Sequence, residues 1–201
     1  MRTEGDLPTA VRERYEIFDW RNAIAILGSV HADDFTEVLD VLSRFELRHS
    51  NVAAGGGNKS NIAKFIDGEL EKVGWVEKGF ETEIVVDGRR EPVPTHKVDC
   101  FKGRIALEVE WNNKDPFFDR DLNNFRLLYD LRVIDVGIVV TRATALEATL
   151  RGAGRATTTY GKATTHTEKL LPKILGGGAG GCPVLVFGIG PKAYRDDRPT
   201  H

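Results

Sequence analysis

Asp99, Glu108 and Glu110 are the residues of this chain whose types and spacing best suit chemistry. They lie in the run Val98-Asp99-Cys100-Phe101-Lys102-Gly103-Arg104-Ile105-Ala106-Leu107-Glu108-Val109-Glu110. Arg104 to Trp111 reads as a strand, and successive side chains of a strand point to opposite faces. Ile105, Leu107 and Val109 therefore turn one way, toward a core, while Ala106, Glu108 and Glu110 turn the other. Two carboxylates share one face, about 6–7 Å apart along the strand. Lys102-Gly103 reads as a two-residue hairpin turn. In that register residue 101 pairs with 104 and 99 with 106, which places Asp99 on the carboxylate face, diagonal to Glu108. Three carboxylates on one patch repel each other and are costly near a core unless a proton or a cation compensates them. Oxygen ligands of this kind suit Mg²⁺, which takes one or two carboxylates and completes its shell with water and phosphate oxygens. Such an ion polarises a phosphodiester and acidifies water. The competing reading is a cross-strand salt bridge, because the same register sets Lys97 opposite Glu108 on a wet sheet face.

The elements that must hold these groups can be followed along the chain. Asp33 to Phe45 predicts a helix, with Phe35, Val38, Leu39, Leu42 and Phe45 at helical spacing and Asp33 as N-cap. A second helix is expected from about Ser60 to Val73, ending at Gly74. Glu83 to Val86 and Lys97 to Phe101 are short strand candidates, with Asp87-Gly88 as a turn signal between them. After the carboxylate strand come a helix from about Asp119 to Leu131 and an apolar strand from Val136 to Thr141. That strand–helix–strand order implies a parallel crossover. A last helix from about Thr165 to Leu175 and a buried strand from Pro183 to Ile189 complete an α/β pattern, with a central mixed β-sheet flanked by helices.

The 201 residues suit a single domain spanning 1–201, with loosely ordered ends at about 1–11 and 192–201. Lys plus Arg number 28 and Asp plus Glu 30, so the formal charge is −2. That excludes nucleic-acid binding through bulk positive charge, but not a nuclease, whose basic groups are local and whose site needs carboxylates. No apolar run approaches the roughly 18 residues of a membrane span. Met1 to Asp19 has no signal-peptide pattern, and Cys100 and Cys182 form no CxxC pair, which points to a reducing, cytoplasmic setting.

Asp99, eight further residues and then Glu108-Val109-Glu110 resemble the PD-(D/E)xK nuclease signature, with Glu110 where that pattern has Lys. The stretch Glu108 to Phe117, the helix after it, Ile134-Asp135-Val136-Gly137, Leu70 to Trp75 and Pro183 to Ile189 together resemble type II restriction endonucleases of the BglII/BstYI family. The resemblance covers about residues 58–190. It implies a restriction-endonuclease-like core and a homodimer that cuts palindromic double-stranded DNA with Mg²⁺. It further implies a cognate DNA methyltransferase in the host. By the same resemblance Asp99 and Glu108 are metal ligands, with the Val109 carbonyl, and Glu110 orients water or acts as a base. Asn61 is the nearest match to a polar site residue from the earlier helix, with Ser60, Lys64 and Glu69 as neighbouring alternatives. DNA readout is implied for Asn112, Asn113 and Lys114 after the catalytic strand, and for Thr164, Thr165 and His166 before the last helix. These residue types can bond base edges in the major groove.

Arg142 to Lys173 carries a formal charge of +4 within a chain of −2, and holds Thr157 to Tyr160 and several glycines. Such a loop can order against phosphates. Gly55-Gly56-Gly57-Asn58-Lys59-Ser60 departs from a P-loop at Asn58. The five dispersed histidines show no metal-ligand spacing, and Asp119, Arg120 and Asp121 read as the start of a helix. Taken without the resemblance, the residues leave open a structure-specific or repair nuclease of the same fold, and a non-catalytic DNA-binding protein.

Overall fold

The computed structural model describes residues 3–53, 59–93, 95–153 and 164–199. Most of the basic Gly- and Thr-rich loop and Gly55 to Asn58 lie outside these residues. The chain begins with α1 (Thr9–Arg14), β1 (Tyr15–Trp20), α2 (Ala23–Val30), α3 (Ala32–Arg44), β2 (Leu47–Arg48), α4 (His49–Ala53) and α5 (Asn61–Glu71). Five strands follow: β3 (Val76–Lys78), β4 (Thr82–Val86), β5 (Arg89–Val93), β6 (Val98–Lys102) and β7 (Ile105–Glu110). The rest is α6 (Pro116–Asp130), β8 (Val136–Arg142), α7 (Leu146–Gly152), α8 (Thr167–Leu175), β9 (Val184–Ile189) and β10 (Tyr194–Arg195).

Six strands form one mixed sheet in the order β1-β9-β8-β7-β6-β3. The three central strands are parallel and the outer pairings antiparallel. The β7–α6–β8 unit is the expected crossover. Every residue of β7, β8 and β9 is buried, because helices cover both faces. On one face Ile105, Leu107 and Val109 join Val136, Ile138, Val140, Leu185 and Phe187 under α2, α3 and α5. On the other, Ala106, Val139, Val184 and Val186 pack under α6 and α8.

Local sequence explains the two helices nearest the carboxylates. Ser60 caps α5, its hydroxyl accepting the Ala63 N–H at 3.0 Å. Pro116 opens α6, where a missing N–H costs nothing. Phe118, Leu122, Phe125 and Leu128 then repeat along its buried side. α6 approaches β8 closely at Gly137, where a Cβ would lie 2.3 Å from Phe125 Cδ2.

Several expectations need correction. The hairpin between β6 and β7 turns on Gly103-Arg104 rather than Lys102-Gly103, because Gly103 takes the positive φ of the first loop residue, 56°. Lys102 pairs with Ile105 and Cys100 with Leu107, so the register runs Asp99 toward Glu108 itself. Asp87-Gly88 closes a separate hairpin, β4–β5, instead of joining two strands of the main sheet. The helix begun at Asp33 in sequence starts at Ala32, and the one begun at Asp119 starts at Pro116. Near the two ends some of the described residues pack against the rest. Leu7 and Val11 are buried, and β10 pairs with β2.

Gly137→Ala is expected to destabilise the protein by about 1–3 kcal/mol through overpacking against Phe125. Chemical denaturation measures it; an unchanged midpoint would show that α6 can move away from β8 at no cost.

Candidate active site

The end of β7 delivers Glu108 and Glu110 to the face that α6 covers. Their exposures are 1% and 2%, so neither lies on a wet face. The alternative salt bridge is not formed: Lys97 Nζ donates to Glu77 at 2.9 Å instead.

His96, before β6, meets Glu108, and Arg120, on α6, meets Glu110. His96 Nε2 lies 3.2 Å from Glu108 Oε1 and 3.1 Å from Asp121 Oδ1. Arg120 donates to Asp121 Oδ1 through Nε at 3.0 Å and Nη2 at 2.9 Å, and reaches Glu110 Oε1 at 3.3 Å. Asn113 Nδ2 donates to the other Glu110 oxygen at 2.6 Å. Asp99 approaches from β6. Its N–H donates to Glu108 Oε2 at 3.3 Å, and its Oδ2 accepts the Val109 N–H at 3.0 Å. Main-chain pairing thus gives way to carboxylates at this end of the β6–β7 ladder. The N–H and C=O of a strand residue point to the same edge, so the Val109 carbonyl faces the edge where Asp99 sits.

Charge does not balance here. Glu108, Glu110 and Asp121 meet two cations, His96 and Arg120. Burial first, and the Asp121 charge after it, hold the Glu108 and Glu110 carboxyls well above the usual carboxylate range. Burial also raises Asp99, against the Val109 hydrogen bond. Burial pulls the His96 imidazole down, but its bonds to Asp121 and Glu108 outweigh this and push it up to about 9. The cluster therefore takes up a proton or a cation.

The residues fit a cation. Ligand atoms of His96, Glu108 and Asp121 lie within 4.8 Å of one another. Asp121 Oδ2 is buried without a hydrogen-bond partner, an unsatisfied oxygen of the kind a metal or its water completes. Glu108, Asp121 and Asp99 are hard oxygen donors, which suit Mg²⁺ better than the imidazole does.

The other expected site residues fall in three places. Asn61 is exposed at the first turn of α5, and among the described residues no hydrogen bond ties it to Asp99 or Glu108. Asn112 to Lys114 form the loop after β7. Asn112 has φ 59° and a buried, unpartnered Oδ1; Asn113 is half-buried and Lys114 exposed. This loop is laced to the segment before α8: Lys114 bridges Thr164, and the N–H of Thr165 donates to the Asn113 carbonyl at 2.8 Å. The Asn113 N–H donates to Thr165 Oγ1 at 3.1 Å. Thr165 is fully buried, and His166 is 6% exposed with its Nδ1 3.0 Å from Thr144 Oγ1. The two expected readout segments are thus one structural unit, bonded directly behind Glu110.

A family model, "Restriction endonuclease BglII/BglIII", matches residues 15–189. The chain belongs to that family. It is a type II restriction endonuclease, a DNA-binding hydrolase. A comparison with curated protein sequences returned no match.

In this endonuclease three groups of the cluster escaped sequence reasoning: His96, Arg120 and Asp121. His96 lies in an irregular segment before β6 and carries no local signal. Asp121 does carry one. It sits three residues after Phe118 and four before Phe125, inside the apolar stripe of α6, where a carboxylate requires a partner. Asp67 shows the same signature on α5, between Ala63 and Leu70.

The metal-free endonuclease is expected to lose stability as pH rises from about 5 to about 9. Glu108 and Glu110 keep protons when folded at pH values where the unfolded chain has released them, and His96 acts in the same direction, so raising pH favours the unfolded state. Thermal melting in chelator measures this, and Glu110→Gln flattens the dependence. A midpoint that is level or rises over this range would contradict the charge assignment.

Proposed function

We propose that the protein is a Mg²⁺-dependent endonuclease that hydrolyses both strands of a palindromic duplex as a homodimer, one strand per subunit. The observation that carries this reading is the set of buried carboxylates Glu108, Glu110 and Asp121 at the end of a central strand, short of positive charge, with half-buried Asp99 beside them. Asp99, Glu108 and the Val109 carbonyl would hold the cation, with Asp121 completing the oxygen set. A bound divalent cation supplies charge neutralisation at the phosphate and a lowered pKa for water.

The chain's own residues then have distinct tasks. Glu110, held between Arg120 and Asn113, orients the attacking water and accepts its proton. Its raised proton affinity in the buried site suits a base. The water oxygen bonds to phosphorus, the P–O3′ bond breaks, the departing 3′-oxygen takes a proton from solvent water, and the products are a 5′-phosphate and a 3′-hydroxyl. Arg120 fixes Glu110 and Asp121 together. Excluding water around them strengthens each of these interactions.

Readout belongs to the unit behind Glu110. Lys114 projects into solvent, where it can donate to guanine acceptors. Asn112 and Thr164 flank it, while Asn113, Thr165 and His166 hold the unit in register. Because Asn113 bonds both Thr165 and Glu110, a change at the reading loop is transmitted to the base. A twofold-symmetric site matches a twofold dimer, which lets one reading unit serve each half-site. A restriction role also requires a methyltransferase that protects the same site in host DNA.

The test is cleavage of a long phage-type DNA with Mg²⁺ or with chelator, followed by end sequencing. Discrete fragments with 5′-phosphate ends are expected only with Mg²⁺. Asp99→Ala and Glu108→Ala should each lower the rate by at least about a hundredfold while remaining folded. Cleavage by either variant at the parent rate would remove that residue from the site; metal-independent cleavage would overturn the reading itself.

A further inference from the structure

Glu110 stands where the signature has a lysine, so the chain lacks a cation at the position that usually faces the scissile phosphate. Arg120 and His96 do not fill that role. Each is already bonded to two carboxylates of the cluster. On the opposite flank of Asp99 there is a third cation. Lys59, immediately before the cap of α5, pairs with Asp67. Asp67 lies on the buried side of α5, and its Oδ1 accepts the Cys100 thiol at 3.4 Å. Cys100 is the neighbour of Asp99 on β6. The ion pair is thereby pinned to the strand that presents Asp99, and Lys59 lies within electrostatic range of Asp99.

We propose that Lys59 contacts the scissile phosphate and stabilises the charge that develops there in the transition state, with Asp67 as its positioning residue. An ammonium has three donors, and Asp67 is the one carboxylate bonded to Lys59 among the described residues, so N–H groups remain for a phosphate oxygen. The Lys59 side chain is 42% exposed, so DNA can reach it, whereas that of Asp67 is 11% exposed. Glu77, the other acid nearby, is committed to Lys97. Burial raises the Asp67 carboxyl above its ordinary range, against the pull of Lys59. The missing lysine of the signature is thus supplied from the segment just before α5 rather than from the catalytic strand. This assignment rests on the proposed phosphodiester hydrolysis at Asp99 and Glu108.

The experiment compares the parent, Lys59→Met, Asp67→Asn and the double variant in single-turnover cleavage of duplex DNA with Mg²⁺, checking each for its melting transition. Lys59→Met is expected to lower the cleavage rate by about a hundredfold with little change in KM. Asp67→Asn should lower it by about tenfold in the parent and have no further effect in the Lys59→Met background, because it acts through Lys59. Additive losses would mean that Asp67 is merely structural. Lys59→Cys provides the second control. Cys100 and Cys182 are buried, so aminoethylation with bromoethylamine modifies the introduced thiol and rebuilds a cation of nearly the same length. Restored cleavage supports the assignment. Cleavage by Lys59→Met within about threefold of the parent, or a Lys59→Cys loss that aminoethylation leaves unchanged, overturns it. If the parent itself fails to cut with any divalent metal, the proposed hydrolysis falls, and this role with it.

Discussion

Placing two carboxylates two residues apart on a strand that is covered on both faces costs several kcal/mol per ion unless partners are built around them. β7 does this at Glu108 and Glu110, and much of the surrounding architecture is what that burial requires. α6 brings Arg120 and Asp121, the segment before β6 brings His96, and the loop after β7 folds back through Asn113. The partners still leave the cluster short of positive charge. That deficit is what a bound cation would offset.

The two-layered core fixes these groups in space. The apolar side of β7 is locked under α3 and α5 by Leu107 and Val109, and the same backbone then aims Glu108 and Glu110 at α6. α6 sits close against the sheet, because Phe125 rests on the bare backbone of Gly137. The loop after β7 is tied in from the other end. The carbonyl of Glu110 accepts the Thr141 hydroxyl at 2.8 Å, and Thr165 anchors Asn113. β7 and the loop after it are thus bonded together, so under the proposed function base contacts at the loop would act on the geometry around Glu110.

How much of this the sequence could reveal depended on whether a feature was local. Alternation along Ile105 to Glu110 separates core from carboxylates because a strand has a fixed period, and the crossover through α6 follows from the order of the elements. The register of Asp99 against Glu108 does not, since it hinges on which of Lys102, Gly103 and Arg104 form the turn, and only the φ of Gly103 decides that. β1 is not legible either: its alternation is interrupted by Asp19, and only pairing with β9 makes it a strand. His96 could not be found from spacing, because its partners lie 12 and 25 residues away and meet it only in three dimensions. Asp121 and Asp67 could have been, since each interrupts the buried stripe of an otherwise regular helix.

The central claim is that this buried cluster holds a divalent cation by exchanging its protons for the metal. Calorimetric titration of Mg²⁺ into the parent, in buffers of different ionisation enthalpy and without DNA, tests it most directly. The account predicts measurable binding with net proton release that declines as pH is raised, and loss of both in Glu108→Gln. Binding that survives unchanged in Glu108→Gln, or that releases no protons at any pH, would contradict it.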